Sequence, residues 1–245
     1  MTPGLDLARA SRHRGARALF TTVRGGVSAG EHAGLNLARH VGDEPAAVAR
    51  NRELLAAHVG LPLVFVEQVH SADVHTLPVT GDVPLRTADA LVTDRTDVAL
   101  AIMVADCLPV LLSDPVSGVI AAAHAGRRGL LDGILQQTVH AMGELGAQPA
   151  DLEVTIGPSI CGHCYEVPAA MREDAAGRLG ATAATTSGGT PALDLRAGAV
   201  QALVSAGVPG EGIDAAAPCT LEDERFYSYR RSSRTGRFAG VIHRA

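Results

Sequence analysis

The chain has 245 residues, of which 47% are hydrophobic, and its formal net charge is −5 at pH 7. This length and apolar content suffice for a buried core and exclude a disordered chain, while the negative charge excludes a whole-chain attraction to nucleic acid or to an anionic membrane. All 21 basic residues are Arg and none is Lys, which excludes Schiff-base lysine chemistry.

Periodic apolar patterns predict the elements along the chain. Short apolar runs predict strands at residues 17–23, 63–66, 90–92, 99–104, 119–123 and 152–156. Apolar residues at helical spacing predict helices at residues 45–59, 129–145, 168–179 and 196–206. The Ala-, Thr-, Ser- and Gly-rich stretch 182–190 predicts a flexible loop. This order predicts a single α/β domain over residues 1–245, with a mixed β-sheet core flanked by helices.

No targeting segment is expected in the chain. Residues 1–17 are rich in charge and lack the apolar core of a signal peptide. The longest apolar stretch, residues 98–112, is interrupted by Asp106 and Pro109 and is too short to span a bilayer. We therefore expect a cytoplasmic protein without a membrane or nucleic-acid partner. Its four cysteines are expected to be thiols or metal ligands rather than disulfides.

Three polar residues stand where predicted strands end. Cys107 and His124 each close an apolar run, and His70 follows the run 63–66. Strand ends deliver side chains to sheet edges and clefts, where reactive groups are common. One thiolate and two imidazoles suit Zn²⁺, and three protein ligands leave a fourth position open. Because the spacing matches no zinc finger, two alternatives stay open: a structural Cys107 with two hydrogen-bonded histidines, and a Cys107–His124 nucleophile–base pair.

A set of ordered motifs extends from residue 20 to residue 242. They are FTTVRGGVS at 20–28, LNLARHVGDEP at 35–45, NREL at 51–54, QVH at 68–70, ADALVT at 88–93, ADCLPVLLSDP at 105–115, HAGRRG at 124–129, GPSICGHCYEV at 157–167, CT at 219–220 and FYSYRRSSRTGR at 226–237. With these motifs the chain resembles the bacterial YfiH-like proteins, formerly described as multicopper polyphenol oxidases or laccase-domain proteins. The copper label fits poorly, since copper oxidases need His-X-His motifs and none of the 10 histidines is so arranged.

The resemblance implies a fold similar to the catalytic domain of a bacterial deamidating toxin. It also implies that the residues of QVH, ADC and HAG that fall here on His70, Cys107 and His124 bind Zn²⁺ and form the catalytic centre. The implied activities are phosphorolysis of adenosine, inosine and methylthioadenosine, with phosphate as the second substrate, and deamination of adenosine. Two alternatives stay open: a peptidoglycan editing factor that hydrolyses misbuilt cytoplasmic cell-wall precursors, and a non-enzymatic, metal-binding regulator of cell division. The oligomeric state stays open as well.

Five further residues are candidates for chemistry or substrate binding. Asp106 is expected to transfer a proton, the alternative being a turn residue that points away from the metal. Arg128 is expected to bind phosphate or carboxylate, the alternative being a position on a helix surface. Asn36 and Gln68 are expected to contact substrate, although Asn36 would equally fix a loop backbone. Arg24 is expected to bind substrate because it stands one place after the family's usual TTR-X-GG arginine.

Two departures from the family pattern concern the pocket. Arg127 stands where the family usually has the Trp of HAGWRG, and Val23 stands where it has the arginine of TTR-X-GG. The first removes an aromatic surface beside the metal ligand, and the second moves or deletes a guanidinium group. Both bear on substrate preference and leave the three ligands untouched.

The stretch from Cys161 to Cys164 has the C-X-X-C form that is typical of zinc and redox sites. Because the chain has no second such pair, we expect the two cysteines to be dispensable for metal binding and activity. His75 is expected to be an ordinary surface or core histidine. The final family block either lines the pocket or forms a strand with exposed arginines; its candidate residues are Tyr227, Tyr229, Arg230 and Arg231.

Overall fold

Two β-sheets and a short hairpin contain the strands of the computed structural model, which describes residues 4–10 and 13–245. The strands are β1 (Leu7–Ala10), β2 (Ala16–Thr21), β3 (Leu63–Val64), β4 (Val74–Thr76), β5 (Ala90–Thr93), β6 (Ala99–Val104), β7 (Leu108–Ser113), β8 (Ile120–Ala125), β9 (Glu153–Ile156), β10 (Ala183–Thr185), β11 (Pro191–Leu193), β12 (Ile213–Asp214) and β13 (Phe238–Arg244). The helices are α1 (Pro45–Val59), α2 (Arg127–Asp132), α3 (Ile134–Glu144), α4 (Ala169–Arg178) and α5 (Leu195–Ser205). None of the helices in this part of the chain is long and apolar enough to cross a membrane.

The strand order is β1-β2-β13-β6-β3 in the first sheet and β12-β9-β7-β8-β5-β4 in the second. In the first sheet, β3 runs parallel to β6 and the other neighbours are antiparallel. In the second sheet, the edge strands β12 and β4 run parallel to their neighbours and the inner pairs are antiparallel. The prediction of an α/β fold with mixed sheet structure is confirmed, and the strands divide between two main sheets.

Alternation of side chains along the strands divides the core into three layers. Leu100 and Ile102 of β6 face the second sheet, where they pack with Leu111 of β7. Ala101 of β6 points the other way and belongs to the cluster that includes Leu55 of α1. The outer face of the second sheet is covered by the buried side chains of α2 to α5. The layers therefore follow the order helix, sheet, sheet, helices.

The same alternation directs two polar residues into the layer between the sheets. On β8, Ala123 and Ala125 face the covering helices, so His124 points into the space between the sheets. Asp89 stands two residues before Leu91 of β5, a member of the layer between the sheets. Both polar side chains are buried there, which means that they must find partners within the protein.

Most predicted elements have observed counterparts, and the differences have local causes. The helix predicted at 129–145 begins at Arg127 and is broken at Gly133, whose φ of 96° ends α2 and starts α3. The predicted loop at 182–190 is in part the strand β10, which pairs with β11 across a turn. The patterns do not predict β7 and β13, which are buried along nearly their whole length.

His13 joins the turn between β1 and β2 to the second sheet. Its Nδ1 lies 2.7 Å from Ser113 Oγ of β7, and its Nε2 lies 3.0 Å from Thr155 Oγ1 of β9. Burial disfavours the imidazolium form and lowers the pKa of His13 to about 4, although the charges of Glu153 and Asp214 pull the pKa upward. His13 is therefore neutral near pH 7, with one hydroxyl group at each ring nitrogen.

We predict that His13 makes the folded protein sensitive to mild acid. Between pH 6.5 and about 4 the unfolded chain binds a proton at this residue and the folded chain does not. The free energy of unfolding therefore falls as the pH falls, by about 3 kcal/mol in total. Urea unfolding of the parent and of His13→Gln, which cannot titrate, measures this contribution. The parent is expected to lose about 3 kcal/mol more than the variant, and equal losses would contradict the assignment.

Candidate metal centre and active site

His70, Cys107 and His124 converge from three parts of the chain. His70 lies in the loop between β3 and β4, Cys107 in the turn between β6 and β7, and His124 near the end of β8. The Cys107 Sγ is 3.8 Å from His70 Nε2, and the two imidazole rings have centroids 4.7 Å apart and are inclined at 75°. One donor atom from each residue lies within 4.8 Å of the others. The structure thus brings together the three residues that the sequence singles out.

The backbone on either side of this centre is held in an unusual conformation. His70 has φ of 61° and Asp106 has φ of 89°, and these are the two non-glycine residues with positive φ among those described. Such conformations are sparsely populated for residues with a Cβ and persist where surrounding contacts fix them. For Asp106, the contacts are hydrogen bonds to its carboxylate from Thr220 Oγ1 at 2.6 Å and from the backbone N–H of Arg230 at 2.7 Å.

The buried carboxylate of Asp89 orients the ring of His124 and anchors the backbone of His70. Its Oδ1 accepts hydrogen bonds from His124 Nδ1 at 2.7 Å and from the backbone N–H of His70 at 3.0 Å. Its Oδ2 accepts from the backbone N–H groups of Val69 and Ser71 and from the Ser71 hydroxyl. Because His124 uses Nδ1 for Asp89, its Nε2 is the nitrogen available to a metal. Asp89 is not among the site residues predicted from the sequence, although an aspartate within the apolar motif ADALV is a usable signal.

Charges within the centre reinforce one another. Burial alone would raise the pKa of Asp89, but the hydrogen bonds from His124 and Ser71 outweigh it and lower the pKa to about 2. Burial also opposes the thiolate of Cys107, yet the attraction of His124 and hydrogen bonds from both histidines lower its pKa to about 6. Burial opposes the imidazolium form of His124 in turn, but Cys107 and Asp89 raise its pKa to about 9. The centre therefore favours a deprotonated sulfur, which both a metal ligand and a nucleophile require.

The donor set fits a metal ion that accepts nitrogen and sulfur. In a tetrahedral zinc site, sulfur and nitrogen ligands lie about 3.6 Å apart, so donor atoms within 4.8 Å of one another need only a small contraction. Gly126 leaves the room for this, because a Cβ there would lie 2.6 Å from His70 Cδ2 and 3.1 Å from Cys107 Sγ. Three protein ligands leave a coordination position open.

A cavity of about 510 Å³ lies above the centre, with His70, Cys107 and His124 in its wall. Its volume is in the range of small-molecule sites. Three arginines and two tyrosines are among the residues that line it; they are Arg127, Arg230, Arg237, Tyr165 and Tyr229. The Arg230 guanidinium lies 5.1 Å from the Tyr165 ring and the Arg237 guanidinium lies 5.8 Å from the Tyr229 ring. The cavity therefore offers both positive charge and aromatic surface.

The predicted substrate residues divide into two groups. Asp106 and Gln68 line the cavity, but the Gln68 amide is paired with the backbone of Met103, donating to its O at 2.7 Å and accepting from its N–H at 2.9 Å. Arg24 and Arg128 are exposed and do not line the cavity. Of the two arginines in HAGRRG, it is Arg127 that faces the cavity.

Asn36 is buried and fixes a loop. Its Oδ1 accepts hydrogen bonds from the backbone N–H of Ala38 and of Arg237, and its Nδ2 donates to Asp43. It therefore positions the backbone of a cavity arginine and does not itself line the cavity.

The final family block adopts turns rather than the strand considered above. Tyr227 is buried and donates its hydroxyl to the carbonyls of His32 and Ala33. Tyr229 and Arg230 line the cavity. The alternative of a pocket-lining block therefore holds for Tyr229 and Arg230, while Arg231 instead donates to nearby backbone carbonyls.

Together these features define an α/β protein with a two-sheet core and a Cys–His donor set in an arginine-rich cavity. A family model described as multi-copper polyphenol oxidoreductase laccase matches residues 17–245. The chain belongs to this laccase-domain family, and the YfiH-like resemblance of its motifs is confirmed.

Named relatives share nearly the whole chain. A Corynebacterium glutamicum protein named purine nucleoside phosphorylase is 47% identical over 239 residues, covering 94% of this chain and 95% of the relative. A Streptomyces coelicolor protein of the same name is 48% identical over 233 residues, covering 93% and 95%. These names support an enzyme of that general class.

Solved structures agree with the fold. The Neisseria meningitidis protein NMB0706 has a TM-score of 0.87 and 37% identity, with 98% of this chain and 99% of that chain covered. YlmD from Geobacillus stearothermophilus has a TM-score of 0.87 and 35% identity, with 96% and 94% covered. At these identities the likeness extends to the family as well as to the fold.

We predict that Asp89→Asn weakens metal binding more than it weakens the fold. The amide cannot accept all the hydrogen bonds that the carboxylate accepts and carries no charge to balance an imidazole–metal unit. Loss of such a partner costs about 10- to 100-fold in metal affinity. Competition with a chromogenic zinc chelator measures the affinity, with Asp94→Asn, an exposed aspartate, as the matched control. Equal zinc affinities of the two variants would show that Asp89 does not support the ligands.

Proposed function

We propose that the protein is a zinc-dependent purine nucleoside enzyme that phosphorolyses adenosine, inosine and methylthioadenosine and deaminates adenosine. The observation that carries this proposal is the cavity in which the Cys–His donor set meets three guanidinium groups and two tyrosine rings. The guanidinium groups suit a phosphate ion, and the tyrosine rings suit the purine base of a nucleoside. The names of the relatives support the phosphorylase class.

The metal is proposed to be held by His70, Cys107 and His124. Bound there, Zn²⁺ supplies a Lewis acid that polarises a substrate group and lowers the pKa of water. Asp89 holds His124 in the tautomer that presents Nε2. The arrangement holds the His124 ring and the backbone of His70 in place without a contribution from substrate, which is the preorganisation that catalysis requires.

Phosphate is proposed to bind to Arg127, Arg230 and Arg237. Guanidinium groups bind phosphate oxygens in pairs and remain charged at neutral pH. A phosphate oxygen held there forms a bond to C1′ of the ribose while the bond from C1′ to the purine nitrogen breaks. The purine leaves with the electron pair of that bond and takes up the proton that the attacking dihydrogen phosphate gives up. Asp106, in the cavity wall, is the proposed group for this proton transfer.

The same cavity suits deamination of adenosine. Water adds to C6 of the adenine ring and ammonia leaves, with a proton passing from the water to the amine. Asp106 is proposed for this transfer too, because it lines the cavity and its carboxylate is positioned by hydrogen bonds from the Thr220 hydroxyl and the backbone N–H of Arg230. Tyr165 and Tyr229 offer ring faces to the purine, and base–aromatic stacking contributes about 1–3 kcal/mol per base.

One observation favours a second candidate, hydrolysis of misbuilt cell-wall precursors. Cys107, His124 and Asp89 form a chain of hydrogen-bonding partners in which the thiol pKa is lowered to about 6. A thiolate, an imidazole and an orienting carboxylate are the parts of a nucleophilic site that cleaves acyl bonds. The arginine-rich cavity would also accept the anionic groups of such precursors.

We predict that phosphate determines which products form from adenosine. Without phosphate the products should be inosine and ammonia; with phosphate, a free purine and ribose 1-phosphate should also appear. Chromatography of both reactions measures this, with Cys107→Ser as the blank because that variant lacks a ligand. If wild type and blank give the same trace while a serine-containing cell-wall precursor is cleaved only by the wild type, the editing function replaces the nucleoside function.

We predict that Arg127, and not Arg128, contributes to phosphate binding. Removing a charged hydrogen-bond donor from phosphate costs about 1.5–3 kcal/mol, which is a rise of about 10- to 150-fold in the KM for phosphate. Steady-state kinetics of Arg127→Ala at fixed nucleoside concentration measures the change. Arg128→Ala is the matched control, because Arg128 is the adjacent arginine and lies outside the cavity. A larger effect in Arg128→Ala would reverse the assignment.

A further inference from the structure

A second group of potential metal ligands lies outside the centre described above. Cys161 and Cys164, in the segment after β9, meet Cys219 and Glu222, in the segment after β12, and one donor atom from each lies within 4.8 Å of the others. We call these four residues the Cys161 cluster. All three cysteines are free thiols, and Cys164 Sγ lies 3.5 Å from Glu222 Oε1. The C-X-X-C stretch by itself offers two ligands, and the fold supplies two more, Cys219 and Glu222.

The two segments present their donors in the same way. The carbonyl of Cys161 accepts hydrogen bonds from the N–H groups of Cys164 and Tyr165, and this turn folds both thiols of the first segment together. The carbonyl of Cys219 likewise accepts from the N–H groups of Glu222 and Asp223. Each segment thus contributes two donors spaced three residues apart on a tight turn, as paired zinc-binding turns do.

Contacts outside the cluster bring the two turns into register. Ser159 and Cys219 form a parallel β-bridge, and the N–H of Cys161 points at Cys219 Sγ at 3.4 Å. The Arg196 guanidinium donates to carbonyls of both segments, those of Ser159, Ala217 and Pro218. The backbone bridge and the hydrogen bonds of Arg196 hold the two segments together without a metal, and replacing the side chains of Cys161 and Cys164 leaves these links in place.

We propose that the Cys161 cluster is a structural Zn²⁺ site with four protein ligands. Three thiolates select a soft or borderline cation, and a carboxylate completes a tetrahedral set that has no open position. Two sulfur ligands on a tetrahedral Zn²⁺ lie about 3.8 Å apart, so a contraction of at most about 1 Å from the observed spread forms the site. Cys219 is buried, Cys161 and Cys164 are half-buried and Glu222 is exposed, so the ion would lie at the boundary between the core and the surface.

The position of the cluster indicates that this ion stabilises the wall of the cavity. Tyr165, next to Cys164, lines the cavity, and Thr220, next to Cys219, donates a hydrogen bond to Asp106. The two turns therefore carry parts of the cavity wall at adjacent residues. A metal ion that joins the turns stiffens this wall, independently of which reaction the cavity performs.

Zinc content per chain tests the proposal without an activity assay. The wild type and His163→Ser, whose exposed side chain stands between the two cysteines, should each contain about two zinc ions. Cys107→Ser and the double variant Cys161→Ser/Cys164→Ser should each contain about one. In Cys107→Ser, X-ray absorption of the remaining zinc should show about three sulfur neighbours near 2.3 Å. The double variant should also unfold at a lower temperature than His163→Ser.

Three results would overturn the proposal. The first is that the wild type contains one zinc ion and Cys107→Ser contains none. The second is that the double variant keeps both ions. The third is that thiol titration of the unreduced, denatured wild type finds a disulfide among the cluster cysteines. Should the double variant fail to fold, Glu222→Ala replaces an exposed ligand and should weaken one of the two zinc affinities in chelator competition. Two unchanged affinities in that variant would also refute a four-ligand site. If the wild type held zinc at the Cys161 cluster and none at Cys107, that result would contradict the proposed function and would still support the Cys161 site.

Discussion

The hydrogen bonds to the buried carboxylate of Asp89 are the constraint on which the geometry of the site depends. Taking a carboxylate out of water costs several kcal/mol unless partners replace the water, and five donors from four residues do so here. Because these donors come from His124 on β8 and from residues 69–71 of a separate loop, one charge joins the His124 ring to the backbone of the loop that carries His70. Cys107 then completes the donor set from a third segment.

The two-sheet core explains why this carboxylate lies where it does. Alternation along β8 and β5 directs His124 and Asp89 into the layer between the sheets, while their neighbours Ala123 and Ala90 face the covering helices. Polar groups inside that layer would be costly. They are tolerated because they satisfy one another and lie next to a cavity, so the same apolar packing that stabilises the fold also keeps water from the Asp89–His124 hydrogen bond.

The sequence predicts the three donor residues, His70, Cys107 and His124, better than it predicts the residues around them. Cys107 and His124 are identified because each follows or ends an apolar run, and the sequence alone shows where such a run ends. The choice between Arg127 and Arg128 depends on the phase of α2, where one residue turns the side chain by about 100°. Cys219 and Glu222 lie 58 residues from their partners and meet them through a β-bridge that no periodicity reveals. The strand β7 is also missed, because Pro109 interrupts its short apolar run.

The cavity is lined by positively charged residues although the whole chain carries a net negative charge. The chain carries a net charge of −5, yet its cavity gathers Arg127, Arg230 and Arg237. Burial lowers the pKa of Arg237, and the charges of Cys107 and Asp106 oppose that shift. A divalent cation bound to the Cys107 thiolate would neutralise part of the negative charge that raises the pKa of Arg237, because a bound metal is the largest local charge in its site. A metal bound there would therefore make the cavity more positive and strengthen its attraction for an anion, which is also the class of ligand that the arginines favour.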